Sequence, residues 1–434
     1  MSRRLAYPVV AAVAASLRLG VLLHERGSIV TAFTEKSDRF ATTFVHHGTF
    51  GFVPGEPSAY TQPLYGWFLV PVYELFGRSW ESVGLTQIGV AAVTALLVFE
   101  LCGRFLAPRA ALVAALIATA NPYLVWHDVH VNREILDQLL AASVVLATLL
   151  AAERRSLRLA ALVGVLCGIA MLGNTRLALL PVLVAAYLVV RLGLVRRALA
   201  AAALVLVLAV LAVTPWLVRN RIEVGCLTLT TDARALWKAN NVNTYRTLAA
   251  GLWIDHVPRL SGAPAYTPEA AGDVWLRTGR VLHVDECAQM RLYRTQVIRF
   301  WEHRPGEKAQ LVRVAVGMLW DPRASETAQR PGEGTRLDTL RRWLEGGWMS
   351  VLYALALVGV AVVPRAVAAL FLLLLAYQTA AAAVFAGTTR YRVPWDFLIA
   401  ALATAAVAFG FERLRTMRAS EAGRLEHSVG PGVD

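Results

Sequence analysis

The chain has 434 residues, 57% of them hydrophobic and only 17% charged, a balance that excludes an ordinary soluble domain. Its formal charge is +13, from 43 basic and 30 acidic residues, and much of that excess sits in short loops between apolar runs. There it reports membrane topology, not a nucleic-acid partner, and four scattered cysteines without CxxC spacing speak against a thiolate metal site.

A helical crossing needs about 20 apolar residues. In chain order, windows at 5–24, 82–103, 109–127, 134–152, 158–173, 176–192, 197–217, 348–363, 366–386 and 393–411 meet or approach that length. The expectation is an all-α polytopic membrane protein of about ten transmembrane helices, with no visible internal repeat. The stretch 62–78 holds two prolines and several aromatics, which suits an interfacial helix better than an eleventh crossing. Counting it as a crossing would also turn most arginine-rich loops outward, against the positive-inside bias. With it on the membrane surface, Arg3, Arg104, Arg154, Arg155, Arg196, Arg197 and Arg365 fall in the cytoplasm together with both termini.

The chain then divides into an N-terminal membrane module (1–217) whose first outer loop is 25–81, and a small mixed outer domain (218–347). C-terminal spans (348–412) and a disordered cytoplasmic tail (413–434) follow. Cys226 and Cys287 both lie in the outer domain and are candidates to pair.

The first outer loop carries Glu35, Asp38, His46 and His47 among Pro, Gly and Tyr punctuation. Asp38, partly desolvated beside the membrane, is a candidate general base, against the bland alternative of a solvated loop charge. Glu134 opens the fourth span and offers a second acid, although a carboxylate at a helix N-terminus is also favoured by the dipole alone. Arg18 lies inside the first span, where snorkelling is the default and a phosphate ligand the alternative. Arg133, Arg176, Arg390 and Arg392 are cations of the short outer loops, against the topology bias. Arg18, Arg176, Arg390 and Arg392 together favour an anionic headgroup. His47, Tyr60 and Tyr65 are candidate substrate-lining residues. A divalent ion held by a histidine with Glu56 or Glu134 is conceivable on chemistry alone, and no cofactor is required.

The order Asp38, His47-Gly48, Pro63-Leu64-Tyr65 and Leu75-Phe76-Gly77 resembles the first outer loop of bacterial GT-C membrane glycosyltransferases. The dolichyl-phosphate-mannose–protein mannosyltransferases and the aminoarabinose transferase-like enzymes are the families most similar in appearance. Asn121-Pro122-Tyr123, Pro215-Trp216 with Arg219-Asn220, Leu319-Trp320-Asp321-Pro322 and Arg390-Tyr391-Arg392-Val393-Pro394 continue the resemblance, which runs from residue 5 to about 411. It implies a GT-C architecture and a protein of the bacterial plasma membrane with its active site facing outward. It also implies a polyprenyl-phosphate sugar donor, and a lipid, protein or polysaccharide acceptor. In that pattern Asp38 corresponds to the first-loop aspartate and Glu134 to the second acidic position, but Arg39 stands where many relatives place a glutamate. Inverting transfer with Asp38 as base is the expected chemistry. A flippase for an anionic lipid is the competing class, and the missing internal repeat counts against it.

Overall fold

The computed structural model describes residues 3–31, 34–323 and 336–428. Its helices begin with α1 (Arg3–Glu25), α2 (Lys36–His47), α3 (Pro63–Phe76), α4 (Trp80–Cys102), α5 (Pro108–Thr119) and α6 (Pro122–His127). There follow α7 (Glu134–Arg154), α8 (Leu157–Gly173), α9 (Leu180–Leu192), α10 (Arg196–Glu223), α11 (Ala233–Lys238), α12 (Thr244–Ala249) and α13 (Pro268–Thr278). The last are α14 (Glu286–His303), α15 (Pro305–Trp320), α16 (Arg336–Val362), α17 (Arg365–Val384), α18 (Thr389–Arg392) and α19 (Asp396–Ser428).

Eight segments among the described residues are long and apolar enough to cross a membrane: α1, α4, α7, Thr175–Leu192, α10, Trp343–Val362, α17 and Thr389–Arg418. The other two expected windows hold the shorter helices α5 and α8, of 12 and 17 residues. The window 109–127 breaks because Pro122 brings no amide hydrogen and Asn121 starts a new helix, its Oδ1 accepting from the amides of Tyr123 and Leu124. The stretch 62–78 forms α3, whose 14 residues reach about 21 Å, short of a roughly 30 Å hydrocarbon core. α3 packs against α2 and α4, as an interfacial helix would.

Small residues set the tightest packing. Gly164 and Gly168 on α8 face α10 so closely that a Cβ would stand 2.7 Å from the Val205 carbonyl oxygen and 2.6 Å from that of Ala209. Spacing of four puts both glycines on one helix face, and backbone proximity replaces the hydrophobic drive that lipid cannot supply. One large core then joins α1, α4, α5, α7, α8, α9, α10, α17 and α19.

Three expectations change. The outer region is helical, not mixed: among the described residues there is no strand, only isolated bridges Thr34–Val131 and Val53–Glu56. Neither boundary of 218–347 is a break in structure, because α10 continues to Glu223 and α16 runs unbroken from Arg336 to Val362. The tail is helical through residue 428, because α19 runs unbroken from Asp396 to Ser428; residues 429–434 lie outside the described residues. Cys226 and Cys287 are bonded as a disulfide, tying the segment after α10 to the first turn of α14.

Candidate active site

A cavity of about 410 Å³ opens where the start of α2 and the 60–62 segment meet α11 and the segments that follow α8 and α17. Arg133, Arg176, Arg390 and Tyr391 form one side. Glu35, Lys36, Tyr60 and Gln62 come from the segment between α1 and α3, and Asp232, Trp253 and Glu269 from the segment between α10 and α14.

The arginine side is asymmetric in its pairing. Arg390 forms ion pairs with both Glu35 and Glu134, with Nη2 to Glu134 Oε2 at 3.0 Å, and donates to Asn132 Oδ1 at 3.0 Å. Arg133 donates from Nη1 to Gln62 Oε1 at 2.6 Å, while its Nε stands 4.0 Å from Glu35 and 3.9 Å from Glu134. Burial works against the Arg133 charge, but Glu134 and Asp137 outweigh it and raise the pKa. Arg176 differs. It lies flat over Tyr391, Cζ 3.0 Å from the ring centroid, and no carboxylate lies within ion-pair distance of it among the described residues. Its Nη1 is buried without a hydrogen-bond partner. Asn174 fixes that turn, accepting from the Arg176 amide at 3.1 Å and donating to Asp137 Oδ2 at 2.9 Å. A buried guanidinium with open donor capacity is a ready anion ligand.

The opposite wall is held by a salt bridge between α2 and the residue that caps α11. Lys36 Nζ lies 2.7 Å from Asp232 Oδ2, 3.8 Å from Glu269 and 4.5 Å above the Tyr60 ring. Burial opposes both charges of the close pair, yet each partner overrides it: the Lys36 pKa is raised and that of Asp232 lowered. Asp232 also caps α11, its Oδ1 accepting from the Ala235 amide.

The sequence-derived candidates fare unequally. Arg176, Arg390 and Tyr60 line the cavity, and Glu134 sits directly behind Arg390. Asp38 does not reach it. Its Oδ1 accepts from Tyr73 Oη at 2.6 Å and Arg78 Nε at 2.9 Å, and its Oδ2 from Arg78 Nη2 at 2.7 Å. Asp38 lies in the first turn of α2, where it binds that helix to α3 and the turn after it. Arg18 is no phosphate ligand here: it is buried against Asp128, at 2.6 and 2.8 Å, and against Thr119 and Ala14. Arg392 is likewise engaged by Asp396 and by the carbonyls of Leu319 and Asp321. Tyr65 donates to Gln87 within the core, and His47 packs edge-on against Trp275 outside the cavity.

The residues that sequence reasoning left off the site are Glu35, Lys36, Gln62, Arg133, Asp232 and Tyr391. Arg133 carried a usable signal, as a cation at the outer mouth adjoining Glu134. Glu35 carried only its position three residues before Asp38. Among the described residues no three His, Cys, Asp or Glu side chains gather as a metal site.

Residues 56–218 match the sequence profile of the dolichyl-phosphate-mannose-protein mannosyltransferase family. No curated protein matches the chain significantly in sequence. Among solved structures, the archaeal oligosaccharyltransferase AglB from Archaeoglobus fulgidus, in complex with an inhibitory peptide and a dolichol-phosphate, aligns over 99% of this chain and 52% of its own. Identity there is 14% and the TM-score 0.52. ArnT from Cupriavidus metallidurans, bound to undecaprenyl phosphate, aligns over 92% of this chain and 77% of its own, with 16% identity and a TM-score of 0.43. The chain thus spans about half the length of the archaeal enzyme, whose likeness establishes a shared fold. Residues 56–218 therefore carry the signature of the dolichyl-phosphate-mannose-protein mannosyltransferase family, within a chain that shares the fold of the archaeal oligosaccharyltransferase.

Proposed function

We propose that this chain transfers a sugar from a polyprenyl-phosphate donor to a hydroxyl acceptor, in the cavity and on the outer face of a bacterial plasma membrane. The observation that carries the reading is Arg176, a half-buried guanidinium on the cavity wall whose buried Nη1 is an open donor and which has no carboxylate at ion-pair distance among the described residues. With Arg133 beside it, this side of the cavity suits the phosphate of a lipid carrier whose chain continues into the membrane. The family match over 56–218 supports the same donor class.

Glu35 is the carboxylate placed to act as base, because it lines the cavity whereas Asp38 is enclosed by Arg78 and Tyr73. Glu134 and Arg390 hold Glu35 in place. In a single displacement the acceptor oxygen bonds to the anomeric carbon, its proton passes to Glu35, and the carbon–oxygen bond to the lipid phosphate breaks. Arg176 and Arg133 stabilise the charge that develops on the departing phosphate. A single base facing a single leaving-group site implies inversion at the anomeric carbon. Tyr60 and Trp253 offer apolar faces to the sugar, and Asp38 acts as a positioning residue through Arg78.

Arg176→Ala tests the carrying observation. Binding of undecaprenyl phosphate to the purified protein is expected to weaken at least tenfold, with thermal stability kept. Unchanged affinity would remove the phosphate site from this cavity.

A further inference from the structure

We infer that Glu286 is a positioning residue of this cavity, holding in register, through one carboxylate oxygen, the two chain segments that form its wall opposite the arginines; the inference rests on the reading that transfer occurs here. Glu286 is the first residue of α14, outside every crossing segment, and is 7% exposed. Its Oε2 accepts from the Ala59 amide at 3.1 Å and from Thr231 Oγ1 at 2.7 Å. The same two segments also meet directly, the Thr231 amide donating to the Ala59 carbonyl at 2.9 Å.

What makes the junction functional is what lies next to it. Ala59 is followed by Tyr60, Thr61 and Gln62, and Thr231 is flanked by Thr230 and Asp232, all of which line the cavity. Three hydrogen bonds at one point therefore set the gap between the Tyr60 side and the Asp232 side. A buried carboxylate is costly unless its acceptors are used, and burial raises the Glu286 pKa accordingly. Two converging donors account for its retention here.

The carboxylate is also fixed from behind. Asp285 caps α14, its Oδ1 accepting from the Ala288 amide at 2.7 Å. Cys287, the next residue, is disulfide-bonded to Cys226, three residues beyond the end of α10. Glu286 is thereby tied to the membrane-spanning body and does not simply travel with the outer helices.

The test uses the full-length protein and the variants Glu286→Ala and Glu286→Gln. Glutamine keeps an acceptor oxygen in the same place, and alanine keeps none. Amide hydrogen exchange in 59–62 and 230–232 is expected to rise at least tenfold in the alanine variant and to return towards wild type in the glutamine variant. Turnover at saturating polyprenyl-phosphate sugar should fall at least tenfold in the alanine variant and recover with glutamine, while affinity for undecaprenyl phosphate changes less than twofold. Unchanged exchange in both segments overturns the inference, as does an equal loss of melting temperature and turnover in both variants. If the wild type turns over no donor, the functional reading fails, and the exchange contrast alone decides the role of Glu286.

Discussion

Arg18 and Arg176 show how one residue type takes opposite roles at one membrane. Both stood out in sequence as cations where apolar residues or few charges belong. Arg18 spends its donors on Asp128, Thr119 and the Ala14 carbonyl, whereas Arg176 keeps a buried Nη1 open beside a cavity. Sequence position reveals the cost of such a charge but not who meets it. That depends on Asp128, 110 residues away in the chain. Removing one partner of a buried pair leaves the other charge stranded, so Arg18→Met should cost about 3–5 kcal/mol. Thermal unfolding in detergent checks this, with undecaprenyl phosphate affinity expected to persist in the fraction that remains folded.

Among the elements, the junction of α2 with the outer helices governs the cavity. Lys36 reaches Asp232 and Glu269, Arg39 reaches Asp273 at 2.6 Å, and Glu286 reaches back to Ala59. The Asp232 pKa is lowered in the folded protein, so its contribution exists above the ordinary carboxyl range and is lost as pH falls through it. The Lys36 pKa is raised, so its contribution is complete below the ordinary ammonium range and is lost as pH rises beyond it. The junction should therefore be tight from roughly pH 4 to 10.5 and loosen on the acid side. Hydrogen exchange of 230–232, expected to accelerate below about pH 4 in wild type but less so in Asp232→Asn, checks this. Little of this junction was legible beforehand. Apolar runs announce crossings because lipid contact imposes them, and α3 announced itself through Pro63, Pro71 and its aromatics. The pairing of Lys36 with Asp232 joins residues 196 apart in the chain, and no local pattern encodes it. Glu35 and Asp38 likewise differ by less than one helical turn. Which of them faces the cavity was decided by Arg78 and Tyr73, which enclose the second.

For the whole molecule, a bundle of apolar helices presents a polar cavity between the segment 34–62 and the helices of 233–303, on a fold shared with an archaeal oligosaccharyltransferase. This cavity gathers Arg133, Arg176 and Arg390 on one side, with Glu35 beside them. The most direct test incubates purified wild type, Glu35→Gln and Asp38→Asn with a panel of polyprenyl-phosphate sugars and acceptor-bearing membranes, and measures released polyprenyl phosphate. Wild type should release it from at least one donor. Glu35→Gln should be slower by about 10²-fold or more with melting temperature preserved, and Asp38→Asn should lose melting temperature along with activity. Full activity in Glu35→Gln, or intact lipid crossing the membrane with no lipid phosphate released, would contradict the account.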